Sequence, residues 1–336
     1  MIGSNDSGID VVDKNKKDED KKGKPIRAIF SDYDGTLCSA SAARDMSLGQ
    51  NRIPVEIKEA LRQIAEQIPV CIISSKDYYF LKETRAFARV ISCLMGIETL
   101  SFSNYASAAL QQQSPPIRRK LLADEESDIS AQSYALEEIA RSIESDPELR
   151  SIIVERKYTS DKRILAGITV DWRHCRNWDY YRKLVHRFVP TAAANLSQPP
   201  EPIVGVYLQK YDFHPFVDVY IKECNKGTAF DLVLSEISAS VHDTGKENEN
   251  DYGKNIISTS SHSSSIIGAE DVLYLGDSEN DNPAFRKAGV SIGVHSDSRI
   301  IPKLECQHII TFDRLGGFLR QLKDSHLKFK EEQLIS

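Results

Sequence analysis

Residues 26–37 read IRAIFSDYDGTL. An apolar, strand-like run, IRAIF (26–30), leads straight into Ser31 and Asp32. Continuous apolar and β-branched runs of this length suit parallel strands covered on both faces by helices. Other stretches repeat the design: PVCII (69–73) leads into Ser74-Ser75, and DVLYLG (271–276) leads into Asp277. VSIGV (290–294) and HIIT (308–311) are two further runs of the same kind. Helical patterns lie between them, at Pro54 to Gln67 with Ile57, Leu61 and Ile64 on one face, and at Lys226 to Leu234. Strands alternating with helices predict an α/β fold, a doubly wound parallel (Rossmann-like) sheet. Ligands of such sheets bind at the carboxyl ends of the strands, where the polar residues sit here.

The stretch 102–219 reads differently. A helix over Tyr134 to Ile143 precedes strand-like SIIVERKY and ILAGITVDW, joined by the turn-like SDKR. A helix over Asp179 to Val189 and strand-like PIVGVYLQ and PFVDVYIK follow. Hairpins with helices predict an inserted α+β cap domain at 102–219, with the core formed by 25–101 and 220–336. Residues 1–24 carry the run DKNKKDEDKKGK and few large apolar side chains, which predicts a disordered charged tail. Residues 239–265, rich in Ser, Asn, Asp and Glu, predict a flexible surface insertion.

With 336 residues, 40% of them hydrophobic, the chain can bury a sizeable core of about two domains. A formal net charge of −6 argues against nucleic acid as a partner. No apolar run is long enough to span a bilayer and no signal-peptide core precedes the first strand. The six cysteines are scattered without a CxxC pair, as expected of reduced thiols in a cytoplasmic protein. The sequence is compatible with a monomer and specifies no oligomer.

Chemistry concentrates at the strand ends. Asp32 and Asp34, two apart in extended chain, project to the same side. One can attack phosphorus while the other protonates the leaving oxygen and then activates water. Gly35 permits a tight turn and Thr36 supplies a hydroxyl near the phosphate. Read alone, DxDG also fits a calcium-type loop or a plain turn. Ser74 can donate to a phosphoryl oxygen or merely cap the next helix. Lys226 at a helix start can neutralise phosphate and keep a carboxylate ionised, although a surface lysine is the commoner case, and Lys222 competes for the role. Asp277 and Asp281 in GDSEND offer hard oxygen ligands for a cation, or form a solvated acidic turn.

The four elements in this order resemble the motifs of the haloacid dehalogenase superfamily: DYDGTL the first, Ser74 the second, Lys226 the third and GDSEND the fourth. The resemblance spans Ile26 to about Leu322. It implies Asp32 as phosphorylated nucleophile, Asp34 as general acid/base, and Ser74 and Lys226 as further catalytic residues. It implies Mg²⁺ held by Asp32, the Asp34 main-chain carbonyl and Asp277, with Asp281 in or behind that shell. Gly35, Thr36, Ser75 and Asn280 would line the substrate. Where many relatives carry Ser-Gly-Arg-Asp after the second strand, this chain carries Ser74-Ser75-Lys76-Asp77, which keeps the charge but not the arginine fork.

The insertion between the second and third motifs resembles the large-cap branch, closest to trehalose-6-phosphate phosphatase. That family carries an E-x-K strand and then a strand ending H-Y-R, matched here by Glu155, Lys157 and Arg173. Glu155 and Lys157 share a sheet face and can meet a sugar together. Asp171 replaces the usual His, and Tyr220-Ile221-Lys222 lacks the usual preceding Glu. A cross-strand salt-bridge ladder is the competing reading of these residues, and Trp172 and Trp178 read as cap core. The expectation is a Mg²⁺-dependent phosphatase of a small-molecule sugar phosphate, trehalose-6-phosphate or a related disaccharide or glycosyl phosphate. A sugar phosphomutase, or a non-catalytic sugar-phosphate sensor or scaffold, are the alternatives.

Overall fold

The structure is a computed structural model that describes residues 23–39, 52–102, 115–122, 126–196, 205–211, 214–243, 266–295 and 303–335. The first six strands are β1 (Lys24–Pro25), β2 (Ala28–Ser31), β3 (Val70–Ile73), β4 (Val90–Cys93), β5 (Glu98–Ser101) and β6 (Arg118–Leu121). Then come β7 (Ile153–Tyr158), β8 (Leu165–Asp171), β9 (Tyr207–Lys210) and β10 (Phe216–Tyr220). The last are β11 (Val272–Gly276), β12 (Val290–His295), β13 (His308–Thr311) and β14 (Lys328–Phe329). The helices are α1 (Val55–Ala65), α2 (Tyr78–Leu81), α3 (Glu126–Ser145), α4 (Trp178–Leu196), α5 (Lys226–Asp243), α6 (Asn282–Phe285) and α7 (Phe312–Asp324).

The large sheet has eight strands in the order β13-β12-β11-β2-β3-β4-β5-β6. The six from β13 to β4 run parallel, and β5 and β6 add antiparallel. The apolar runs are continuous because both faces are covered. Ile29, Ile72, Leu273 and Leu275 pack with Leu61 and Ile64 of α1 and Leu319 of α7. Their neighbours Phe30, Cys71, Ile73 and Tyr274 pack with Phe230, Val233 and Ile237 of α5. Each such side chain contributes roughly 1.5–3 kcal/mol by leaving water. β2 therefore sits between β11 and β3, and the carboxyl ends of these three strands lie side by side at the switch point of the sheet.

The cap sheet is antiparallel, in the order β7-β8-β10-β9. Its outer face sets Ile168, Val170 and Trp172 against Leu136, Ile139 and Ile143 of α3 and Val185 and Val189 of α4. Arg156, on that same face, holds Glu137 and Glu144 of α3 at 2.9 and 2.6 Å. The other face carries Glu155 opposite Thr169, which is in turn opposite Asp218, with Lys157 opposite Gly167. The turn joining β7 to β8 seats the cap on the large sheet. Buried Glu98 of β5 accepts from the Ser160 main-chain N at 2.8 Å, Ser160 Oγ at 2.7 Å and Arg119 Nε at 2.6 Å. Arg119 also reaches Asp161 at 3.0 Å, and the Tyr79 hydroxyl donates to the Ser160 carbonyl at 2.7 Å.

Four expected boundaries need correction. A boundary at residue 102 assigns 118–121 to the cap, but β6 pairs with β5 in the large sheet. This edge strand is short, charged and largely exposed, so no apolar run announces it. At the other boundary, Tyr220 belongs to cap strand β10. The flexible insertion expected over 239–265 is contradicted at 239–243, which belong to α5; residues 244–265 lie outside the described residues. The expected tail lies outside them up to residue 22, while Lys24 pairs with Phe329.

Candidate active site

Asp32 leaves the end of β2, and the DYDGTL segment folds back over it, with the Leu37 and Cys38 amides both donating to the Tyr33 carbonyl. Gly35 adopts φ of +81°. A Cβ there would lie 2.0 Å from Oδ2 of Asp277. Glycine is required on both counts, and its absence of side chain lets the Asp277 carboxylate close onto the turn. Thr36 Oγ1 donates to Asp277 Oδ1 at 3.3 Å.

Lys226 opens α5 and is fully buried. Its ammonium donates to Asp32 Oδ2 at 2.8 Å and to Asp281 Oδ1 at 2.7 Å. Burial works to lower its pKa, but the Asp281 and Asp32 charges outweigh burial and raise it, so the lysine stays charged. Burial pushes the Asp32 carboxyl up to about 7, against the lowering effect of Lys226. Asp277 is held well above the usual carboxylate range by burial and by the charges of Asp32 and Asp281.

One oxygen from each of Asp32, Asp277 and Asp281 lies within 4.8 Å of the others. Hard oxygen donors in this excess over cationic charge fit a divalent cation such as Mg²⁺. Asp281 has little left to offer one. Its oxygens accept from Lys226 Nζ (2.7 Å), the Tyr274 hydroxyl (2.7 Å), the Asp277 and Ser278 amides (3.2 and 3.1 Å) and Ser278 Oγ (3.2 Å). These bonds tie Asp281 to Lys226 and to the loop that carries Asp277.

The other expected residues divide. Ser74, buried at the end of β3, accepts from the Lys76 amide at 3.3 Å. Ser75 is half-buried in the same loop. Asn280 accepts from Ser278 Oγ at 2.7 Å and also bonds Tyr211 of the cap. Glu155 reaches the core, where Lys76 Nζ meets both its oxygens at 3.1 and 3.0 Å. Lys157 shares that face but is committed within the cap to Asp218 at 2.9 Å, both side chains being buried. Burial works to raise the Asp218 pKa, but Lys157 and the hydroxyls of Thr169 and Tyr211 prevail and lower it. Arg173 forks onto Asp171, with Nε at 2.7 Å from Oδ2, and its guanidinium lies 5.3 Å from the centre of the Phe216 ring. No hydrogen bond or ion pair described joins it to Glu155 or Lys157. Trp172 is buried against α4, whereas Trp178 is partly exposed and donates to the Arg173 carbonyl at 3.2 Å. Lys222 is half-buried on the short segment between β10 and α5, and Lys226 holds the lysine position beside Asp32.

Sequence reasoning did not select Tyr274, Ser278, Asp218, Tyr211 or Lys76 as site residues. Tyr274 hides in an apolar run, and Asp218 sits at an inward position of strand-like PFVDVYIK. Only Lys76 left a signal, as the replacement within Ser-Gly-Arg-Asp.

This combination of a mostly parallel sheet with polar residues at its strand ends and an inserted α+β cap is a fold shared with solved haloacid dehalogenase-like proteins. Among solved structures, a trehalose-6-phosphate phosphatase related protein aligns with TM-score 0.54 and 14% identity, over 89% of this chain and 98% of its own. A haloacid dehalogenase-like hydrolase from Bacteroides thetaiotaomicron aligns with TM-score 0.52 and 12% identity, over 89% and 99%. No family model and no curated protein matches the sequence. No helix among the described residues is long and apolar enough to cross a membrane.

Proposed function

We propose that this protein is a divalent-cation-dependent phosphatase that hydrolyses a sugar phosphate, with trehalose-6-phosphate or a related disaccharide phosphate as the leading candidate. The observation that carries the reading is the buried Asp32–Lys226–Asp281 chain beside Asp277, at the carboxyl ends of adjacent parallel strands. Asp32 attacks phosphorus and becomes the acyl phosphate. Lys226 keeps that carboxylate charged and offsets phosphate charge. Asp34 gives its proton to the leaving oxygen and then takes one from the water that hydrolyses the intermediate. Mg²⁺, held by Asp32, Asp277 and the Asp34 carbonyl, would supply electrostatic stabilisation of the transferring phosphoryl group. Thr36, Ser74, Ser75 and Asn280 border the phosphate region, and the cap excludes bulk water.

The sugar would meet the cap face that carries Glu155 and Thr169. Its resemblance to the E-x-K strand of trehalose-6-phosphate phosphatases supports that substrate class, with Glu155 rather than Lys157 or Arg173 as the residue nearest the core. The test is phosphate release from trehalose-6-phosphate, sucrose-6-phosphate and mannosyl-3-phosphoglycerate, with and without Mg²⁺ and with Asp32→Asn alongside. Release that vanishes in the variant and with chelator supports the reading, and the fastest substrate names the class. Wild-type protein that releases phosphate from none of them, nor from an aryl phosphate, sinks it.

A further inference from the structure

Lys76 stands at the seam between cap and core. Its ammonium meets both oxygens of Glu155 on β7 at 3.1 and 3.0 Å and lies 3.9 Å from Oδ2 of Asp34. It also sits 4.8 Å from the centre of the Phe80 ring, and its side chain is only 14% exposed. The cation is thus shared between one carboxylate from the cap and one from the DYDGTL turn. An ammonium with three donors can serve two carboxylates in different directions, which a planar guanidinium fork does less readily. Lys226 holds the other side of the site, at 2.8 Å from Asp32. The two lysines therefore divide the carboxylates between them: one at the attacking group, the other at Asp34.

We propose that Lys76 is a positioning residue for Asp34, and that Glu155 makes this positioning depend on the cap. The proposal rests on Asp34 being the proton donor. In that step the Asp32 oxygen bonds to phosphorus while the bond from phosphorus to the leaving oxygen breaks. The Asp34 O–H bond breaks as its proton passes to that oxygen. Lys76 gains and loses no proton; it fixes which way the Asp34 carboxyl faces. When the cap lifts, Glu155 leaves with it and the lysine is no longer held in place. Cap seating and proton delivery are thereby coupled through one side chain.

The test uses the full chain with saturating Mg²⁺ and two probes, 4-nitrophenyl phosphate and phenyl phosphate. The first leaves as a stable anion and needs little protonation, whereas the second needs the acid. Lys76→Met is expected to lower kcat for phenyl phosphate about tenfold more than for 4-nitrophenyl phosphate. Glu155→Gln should shift the ratio in the same direction by less, and Lys76→Arg, which keeps the charge but not the divergent donors, should recover only part of it. If Lys76→Met fails to fold, Glu155→Gln decides alone, since its carboxylate is 37% exposed and the change is isosteric. Equal losses on both probes, or none, overturn the proposal. Wild-type protein that turns over neither probe and none of the three sugar phosphates overturns the phosphatase reading, and this assignment with it. An active wild type whose variants keep the same ratio removes only the role of Lys76.

Discussion

Replacing Lys226 by Met leaves the shape of the side chain and removes its charge. In the structure that charge is fully buried and donates to two carboxylates, at 2.8 Å to Asp32 and 2.7 Å to Asp281. Removing one partner of a buried ion pair costs about 3–5 kcal/mol, because the remaining charge keeps its desolvation penalty without compensation. Two carboxylates are stranded here, so Lys226→Met in metal-free protein at pH 7 should lose about 4 kcal/mol. That is a large share of a total folding stability of about 5–15 kcal/mol. The loss has a pH signature. The Asp32 carboxyl already titrates near 7 with the lysine present, and without that lowering influence it protonates at still higher pH. Lowering the pH neutralises Asp32 in the variant and weakens its ion pair with Lys226 in the wild type, so the difference narrows. Urea unfolding of both proteins in chelator at pH 7 and pH 5 measures it, and adding Asp32→Asn to Lys226→Met should recover part of the loss. A loss below about 1 kcal/mol, or one of the same size at both pH values, would falsify the account of Lys226 as the counter-charge of a buried acidic cluster.

Other outcomes follow from the same geometry. Gly35→Ala combines a left-handed backbone with a Cβ placed on the Asp277 carboxylate; it should cost about 1–3 kcal/mol and weaken Mg²⁺ protection against thermal unfolding. Because burial raises the Asp32 pKa from 3.8 to about 7, the stability it contributes is complete below pH 3.8 and is lost as pH climbs through 7. The melting temperature of metal-free protein should therefore carry a falling component over that range, which Mg²⁺ suppresses; scans with chelator and with Mg²⁺ compare the two. Glu98→Gln weakens the anchor that holds Ser160 and Arg119, and hydrogen exchange in residues 159–163 should rise by about tenfold or more. Unchanged exchange there would mean that the turn is held by the Tyr79 and Arg119–Asp161 contacts instead.

The sequence alone determined the layered sheet and the rank of its polar strand ends. An apolar run records burial on both faces, and the residue after it must emerge at the sheet edge whatever the rest of the chain does. Asp32, Ser74 and Asp277 were legible on that ground, and Lys226 because a helix start follows from its local pattern. Gly35 was legible as a turn, but not as the gap that admits Asp277. Only the tertiary structure decided which charges meet. Lys157 and Asp218 are 61 residues apart, and Lys76 and Glu155 are 79 apart. No local periodicity encodes such pairings; they depend on strand register and on where the cap sits. For the same reason the strand pattern put Glu155 and Lys157 on one face correctly, yet could not say that one would face the core and the other be spent inside the cap. Asp281 reads as a ligand in sequence because an acidic loop advertises charge. Only folding brings Lys226, Tyr274 and three donors of its own loop onto its two oxygens.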